Sequence, residues 1–161
     1  MILGRIVLDT NLLVFFVVGL VDIRRIRDHK RLKGALYREV DHQLLCRIVS
    51  GSKGLALTPH VLAETSNLLG KPRDPQSFAY FEFLKALLSR DGGVEEFHVA
   101  GRTAVGRPEY RYLGLTDAAL LVQDPGDFTL ITVDTALHLA ALQAGRACIN
   151  FDHIRHLAVR S

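Results

Sequence analysis

Arg5-Ile6-Val7-Leu8-Asp9-Thr10-Asn11-Leu12-Leu13-Val14 is an apolar run broken once, by three polar residues, and its reading decides the fold. Ile6, Val7 and Leu8 have the continuous apolar character of a strand buried on both faces, as in a parallel sheet covered by helices. Asp9 then falls at the carboxyl end of that strand, the rim where open α/β sheets bind ligands. Asp9 or Thr10 also suits the N-cap of a following helix. Leu12 to about Leu20 predicts that helix, apolar nearly all round and therefore buried.

Length and composition set the frame. A chain of 161 residues with 48% hydrophobic and 23% charged residues is one ordinary folded domain, not a disordered or fibrous chain. The net charge of +3 favours polyanionic partners only mildly. Cys46 and Cys148 form neither a metal-ligand spacing nor a disulfide framework, which predicts reduced thiols packed as filler in a cytoplasmic protein. The apolar run to Val21 is shorter than the roughly 20 residues a membrane span needs, and it lacks a cleavage pattern.

Downstream of the first helix, Asp22 to Lys33 carries Arg24, Arg25, Arg27, His29, Lys30, Arg31 and Lys33, with Ile23, Ile26 and Leu32 interleaved. Such a segment is either a phosphate-facing surface or a solvated face. Tyr37 to Ile48 repeats at helical spacing until Ser50-Gly51-Ser52. Gly54-Leu55-Ala56-Leu57 predicts a second strand. Thr58 caps the next helix, with Pro59 at its first position and Gly70 at its end. Glu64 shares a face with Val61 and Leu68, an acid on an inward stripe.

Gln76 to Ser89 predicts a helix whose apolar surface exceeds one stripe, enough for the core and for a partner or second copy. Val94 to Val99, interrupted by Glu95 and Glu96, predicts an edge strand. Between Ala100 and Leu113, Arg102, Arg107 and Arg111 alternate with Tyr110 and Tyr112, a set able to contact phosphates and stack bases or to lie on a solvated helix. Thr116 is the expected cap of the helix that follows, and Asp117 sits in its first turn. Asp124-Pro125-Gly126-Asp127 predicts a turn. Phe128 to Val133 is the strongest strand signal and ends in Asp134; a helix from Ala136 to Ala144 and a short strand at Ala147-Cys148-Ile149 complete the alternation of a parallel sheet.

Asp9 and Asp134 therefore end buried strands, while Asp117 and Glu64 sit on helices that pack inward. Carboxylates brought together raise one another's pKa and destabilise the fold unless a cation neutralises them. With oxygen ligands and no His or Cys cluster, Mg²⁺ or Mn²⁺ is expected rather than Zn²⁺.

Taken in order, Leu8-Asp9-Thr10-Asn11, Glu64 within Val61-Leu62-Ala63-Glu64, Leu115-Thr116-Asp117-Ala118 and Ile131-Thr132-Val133-Asp134, running into Leu137 and Gly145, resemble the PIN-domain family of metal-dependent ribonucleases. That family includes the toxins of many bacterial and archaeal toxin–antitoxin pairs. The resemblance spans nearly the whole chain as a single domain, 1–161. It implies an α/β fold of three layers, with a parallel sheet of four or five strands ordered 3-2-1-4-5 and flanked by helices.

The same resemblance implies that Asp9, Glu64, Asp117 and Asp134 are the catalytic, metal-binding quartet, with Thr10, Asn11 and Thr132 as supporting polar groups. Thr10 takes the capping role once Asp9 is read as a ligand, and Asp152 is expected on a surface turn or as an outer contact. The implied activity is hydrolysis of RNA leaving 5′-phosphate and 3′-hydroxyl ends. Implied partners are an RNA substrate, an antitoxin protein and a second copy of the chain, and no membrane. Arg24, Arg25, Arg27, Lys30, Arg102, Arg107 and Arg111 are the candidate RNA contacts. The interval between Asp9 and Glu64, which holds the basic stretch, is longer than in compact toxins. Two rival readings are a PIN-like module that binds RNA or protein without cutting, and an aspartyl-nucleophile phosphatase, in which Asn11 stands at the place of an expected second aspartate.

Overall fold

Strand β1, Arg5–Leu8, is buried from Ile6 onward and runs up the middle of a five-stranded parallel sheet. The computed structural model describes residues 3–122 and 128–158, so the expected turn at Asp124-Pro125-Gly126-Asp127 lies outside the described residues. The other strands are β2, Leu55–Leu57; β3, Val94–Glu96; β4, Phe128–Thr132; and β5, Cys148–Asn150. Their order is β3-β2-β1-β4-β5. β1 and β4 are therefore neighbours although most of the chain separates them, with Leu8 opposite Ile131. Successive connections reverse direction between these two strands, which opens a crevice at their carboxyl ends.

The helices are α1, Thr10–Val21; α2, Glu39–Ser50; α3, Pro59–Leu69; α4, Pro75–Ser89; α5, Gly101–Val105; α6, Tyr110–Leu113; α7, Leu115–Val122; α8, Thr135–Gln143; and α9, Phe151–Leu157. α1 is buried from Leu12 to Gly19, as its apolar surround requires, and packs against α2, α3 and α4. Its approach to α2 is so close that a side-chain carbon on Gly19 would overlap the His42 ring. Phe15 stacks on Tyr37 at 4.0 Å and meets Phe151, joining α1 to the end of the chain. Burying an aromatic or aliphatic side chain of this kind contributes about 1.5–3 kcal/mol.

Thr58, Pro59 and Gly70 bound α3 as expected, with Thr58 accepting a hydrogen bond from the Val61 N–H. Among the described residues β3 pairs only with β2, as an edge strand does, and it is three residues long rather than six. On α4, Tyr80 and Leu84 are buried, Phe81, Phe83, Leu87 and Leu88 rest against the core, and Phe78 is half exposed. Two elements depart from the sequence reading. α7 starts at Leu115, so Thr116 lies inside the first turn and is not its cap. Asp152 lies in the first turn of α9 rather than on a surface turn, and Arg155 holds it at 2.6 Å. Among the described residues no helix is long and apolar enough to cross a membrane.

Candidate functional site

At the β1/β4 crevice the chain turns out of each strand into a helix, and an aspartate stands at each turn. Asp9 is buried and caps α1: its Oδ1 accepts the Leu12 N–H at 2.8 Å. Its Oδ2 accepts the Thr132 hydroxyl and the Val133 N–H, the latter at 2.9 Å, both across the strand pair. Three of roughly four carboxylate lone-pair sites are thus filled, so capping leaves room for one further contact. Thr132 is fully buried and takes the Asp134 N–H on its own oxygen at 2.9 Å. Asp134 in turn caps α8 through Oδ1, with the Leu137 N–H at 2.8 Å, and is exposed.

The other two acids come in on helices that pack side by side. α3 carries Glu64 and lies against α1 and α7; α7 carries Asp117 and lies against α8. Both side chains are partly buried. Burial first, and then the Asp9, Asp134 and Glu64 carboxylates, together push the Asp117 carboxyl up to about 7. Burial also raises the Asp9 carboxyl, against the hydrogen bonds from Thr132, Leu12 and Val133, and Asp134 adds to the rise. The crevice therefore gathers the field of all four acids.

This donor set, carboxylate oxygens with uncompensated mutual repulsion, fits a hard divalent cation. Among the described residues no group of three or more His, Cys, Asp or Glu is drawn together closely enough to hold a metal ion unaided. Mg²⁺ has no need of one, since it commonly binds through one or two carboxylates, waters and substrate phosphates.

The supporting residues divide. Thr132 orients Asp9, as described. Asn11 accepts the Arg31 Nε–H at 2.9 Å and so faces the basic segment. Thr10 does not cap α1, because Asp9 does; its hydroxyl is buried without a hydrogen-bond partner among the described residues. Cys46 and Cys148 are free and half-buried, the first beside His42 and the second 3.3 Å from His138 Nδ1. Burial and the charge of Asp9 push the Cys148 thiol up to about 12, which keeps it protonated.

The candidate RNA contacts do not form one surface. Arg24, Arg25 and Lys30 line a cavity of about 1010 Å³, together with Arg31 and with Lys71, which lies outside the basic stretch. Arg27 lies 3.8 Å from Asp28 and lines a separate pocket of about 190 Å³. Arg102, Arg107 and Arg111 belong to the α5–α6 arm packed on α7, where Arg107 is bound to Glu109 at 2.9 Å and Tyr112 is exposed. No family model, curated protein or solved structure matches the chain.

Proposed function

We propose that the protein is a metal-dependent ribonuclease of the PIN-like type that its motifs resemble. One observation carries the reading: Asp117 is pushed up to about 7 by burial and by three further carboxylates at the β1/β4 crevice. A set of acids arranged to repel one another lowers stability, and a bound cation turns that cost into affinity. When bound, Mg²⁺ or Mn²⁺ supplies a nucleophilic water at neutral pH and stabilises in-line displacement at phosphorus.

In this reading Asp9, Asp117 and Asp134 would hold one ion. Glu64 orients the attacking water or holds a second ion. Thr132 fixes the Asp9 carboxylate through the hydrogen bond that its hydroxyl donates. The arrangement calls for no side-chain nucleophile. A role as the toxin of a toxin–antitoxin pair, with an antitoxin and a second copy as partners, is the biological setting the resemblance suggests. The free thiols suit a cytoplasmic location.

The test is cleavage of single-stranded RNA with Mn²⁺ by the wild type and by Asp9→Asn and Asp134→Asn. Asparagine keeps either helix cap and removes the charge, and at position 9 it also takes the acceptor from the Val133 N–H. Both variants are expected to lose cleavage while retaining the wild-type circular dichroism spectrum. Undiminished cleavage by both overturns the assignment. A module that binds without cutting gives no cleavage by the wild type and no carboxylate-dependent Mn²⁺ site on titration.

A further inference from the structure

We propose that the cavity of about 1010 Å³ between the basic segment and the α3–α4 junction is a binding cleft for the phosphates of single-stranded RNA beside the acidic crevice. The substrate class rests on the ribonuclease reading; the cleft itself rests on the following geometry. None of the four acids lines it, so it is a separate site. Both of its walls nevertheless lead back to them. On α3, Asn67 and Leu68 line the cleft and stand three and four residues after Glu64, about one helical turn or ~5 Å farther along the same face. On the opposite wall Arg31 reaches Asn11, two residues beyond Asp9.

The basic wall is built rather than loose. Ile26 and Leu32 anchor it in the core. His29 Nδ1 faces the Arg31 N–H at 3.2 Å, so Nε2 carries the proton and donates to the Leu69 carbonyl at 3.2 Å. The Arg25 guanidinium lies 5.4 Å from the Tyr80 ring centre. At the far end α3 and α4 come so close that a side-chain carbon on Gly70 would overlap Ser77.

The charges within divide into occupied and open ones. Asp22 is engaged by Arg24 at 3.0 Å, Asp28 lies 3.8 Å from Arg27, and Asp74 caps α4 through the Gln76 N–H. The side-chain ammonium groups of Lys30 and Lys71 have no ion pair or hydrogen bond among the described residues, and both residues are exposed. Arg31 spends its Nε on Asn11 and keeps further donors. Open cations lining a cleft of this volume, at the upper end of the range for one small ligand, suit an extended polyanion.

The experiment measures binding of a labelled single-stranded RNA by fluorescence anisotropy in excess EDTA over a range of salt. It compares the wild type, Lys30→Ala/Lys71→Ala and a control of equal charge loss, Arg47→Ala/Lys53→Ala. The cleft variant is expected to bind about tenfold more weakly, and its dependence of log K on log salt is expected to flatten by about 1.4, two single-strand phosphate contacts. The control should bind as the wild type does. Equal weakening by the two variants, no weakening by either, or no RNA binding by the wild type overturns the cleft. Binding through the cleft without Mn²⁺-dependent cleavage removes the ribonuclease reading and leaves the cleft. Cleavage with an unchanged KM in Lys30→Ala/Lys71→Ala removes the cleft and leaves the ribonuclease.

Discussion

Asp117 titrates about where a cell works, and the direction of its shift fixes the sign of two effects. Its folded pKa of about 7 lies above the 3.8 of an ordinary aspartate, so between these pH values the folded protein holds more protons than the unfolded chain. Stability from this group is therefore complete at low pH and is lost as pH rises through 7. Asp117→Asn should accordingly stabilise the protein in EDTA at about pH 8, by at most roughly 4 kcal/mol, and raise its melting temperature, and Mn²⁺ should raise the wild type but not the variant. A variant less stable than the wild type in EDTA would contradict the repulsion. Thr132 acts through Asp9: Thr132→Val deletes the hydroxyl that orients the carboxylate and should weaken Mn²⁺ binding about 10- to 100-fold by calorimetry. Unchanged affinity would show that the hydroxyl serves packing alone.

Elements were legible where their ends carry chemistry. β1 and β4 read correctly because each is a short run rich in β-branched and apolar residues that leads into a helix-capping aspartate, and α3 because Thr58-Pro59 and Gly70 mark its limits. The missed features had weaker or misplaced signals. Thr116 looks like a cap, but Gly114, at φ +83°, ends α6 and the chain re-enters helix at Leu115. α9 escaped because Asn150 still pairs in β5 while its side chain accepts the Asp152 and His153 N–H groups. The α1–α2 contact gives a prediction at this scale. Burial holds the His42 ring below its usual pKa, so the unfolded chain takes up protons that the folded one refuses below about pH 6.5. Stability should decline as pH falls through that region, and His42→Gln should reduce the acid slope of denaturant unfolding. An unaltered slope would place the acid sensitivity elsewhere.

At the scale of the whole molecule, the sheet order entered with the family resemblance and not from the spacing of residues, and the structure has that order. The cleft could not be read along the chain at all. Lys30 and Lys71 line one space, and the His29–Leu69 contact that helps bring their segments together spans 40 residues. Closure of the fold depends likewise on Arg155, which binds Asp152 at 2.6 Å, Asp41 at 3.5 Å and the Ala35 carbonyl at 3.2 Å, and lies over Tyr37. Arg155→Ala removes one partner of the buried Asp41 and should cost about 3 kcal/mol in urea unfolding; a loss within error would mean that Arg38 alone satisfies that carboxylate. The convergence of four acids is the claim on which the rest depends, and anomalous diffraction from a crystal soaked in Mn²⁺ tests it most directly. The account predicts a manganese peak in the β1/β4 crevice within bonding distance of Asp9 or Asp117. No peak there, with Mn²⁺ bound elsewhere or not at all, would contradict it.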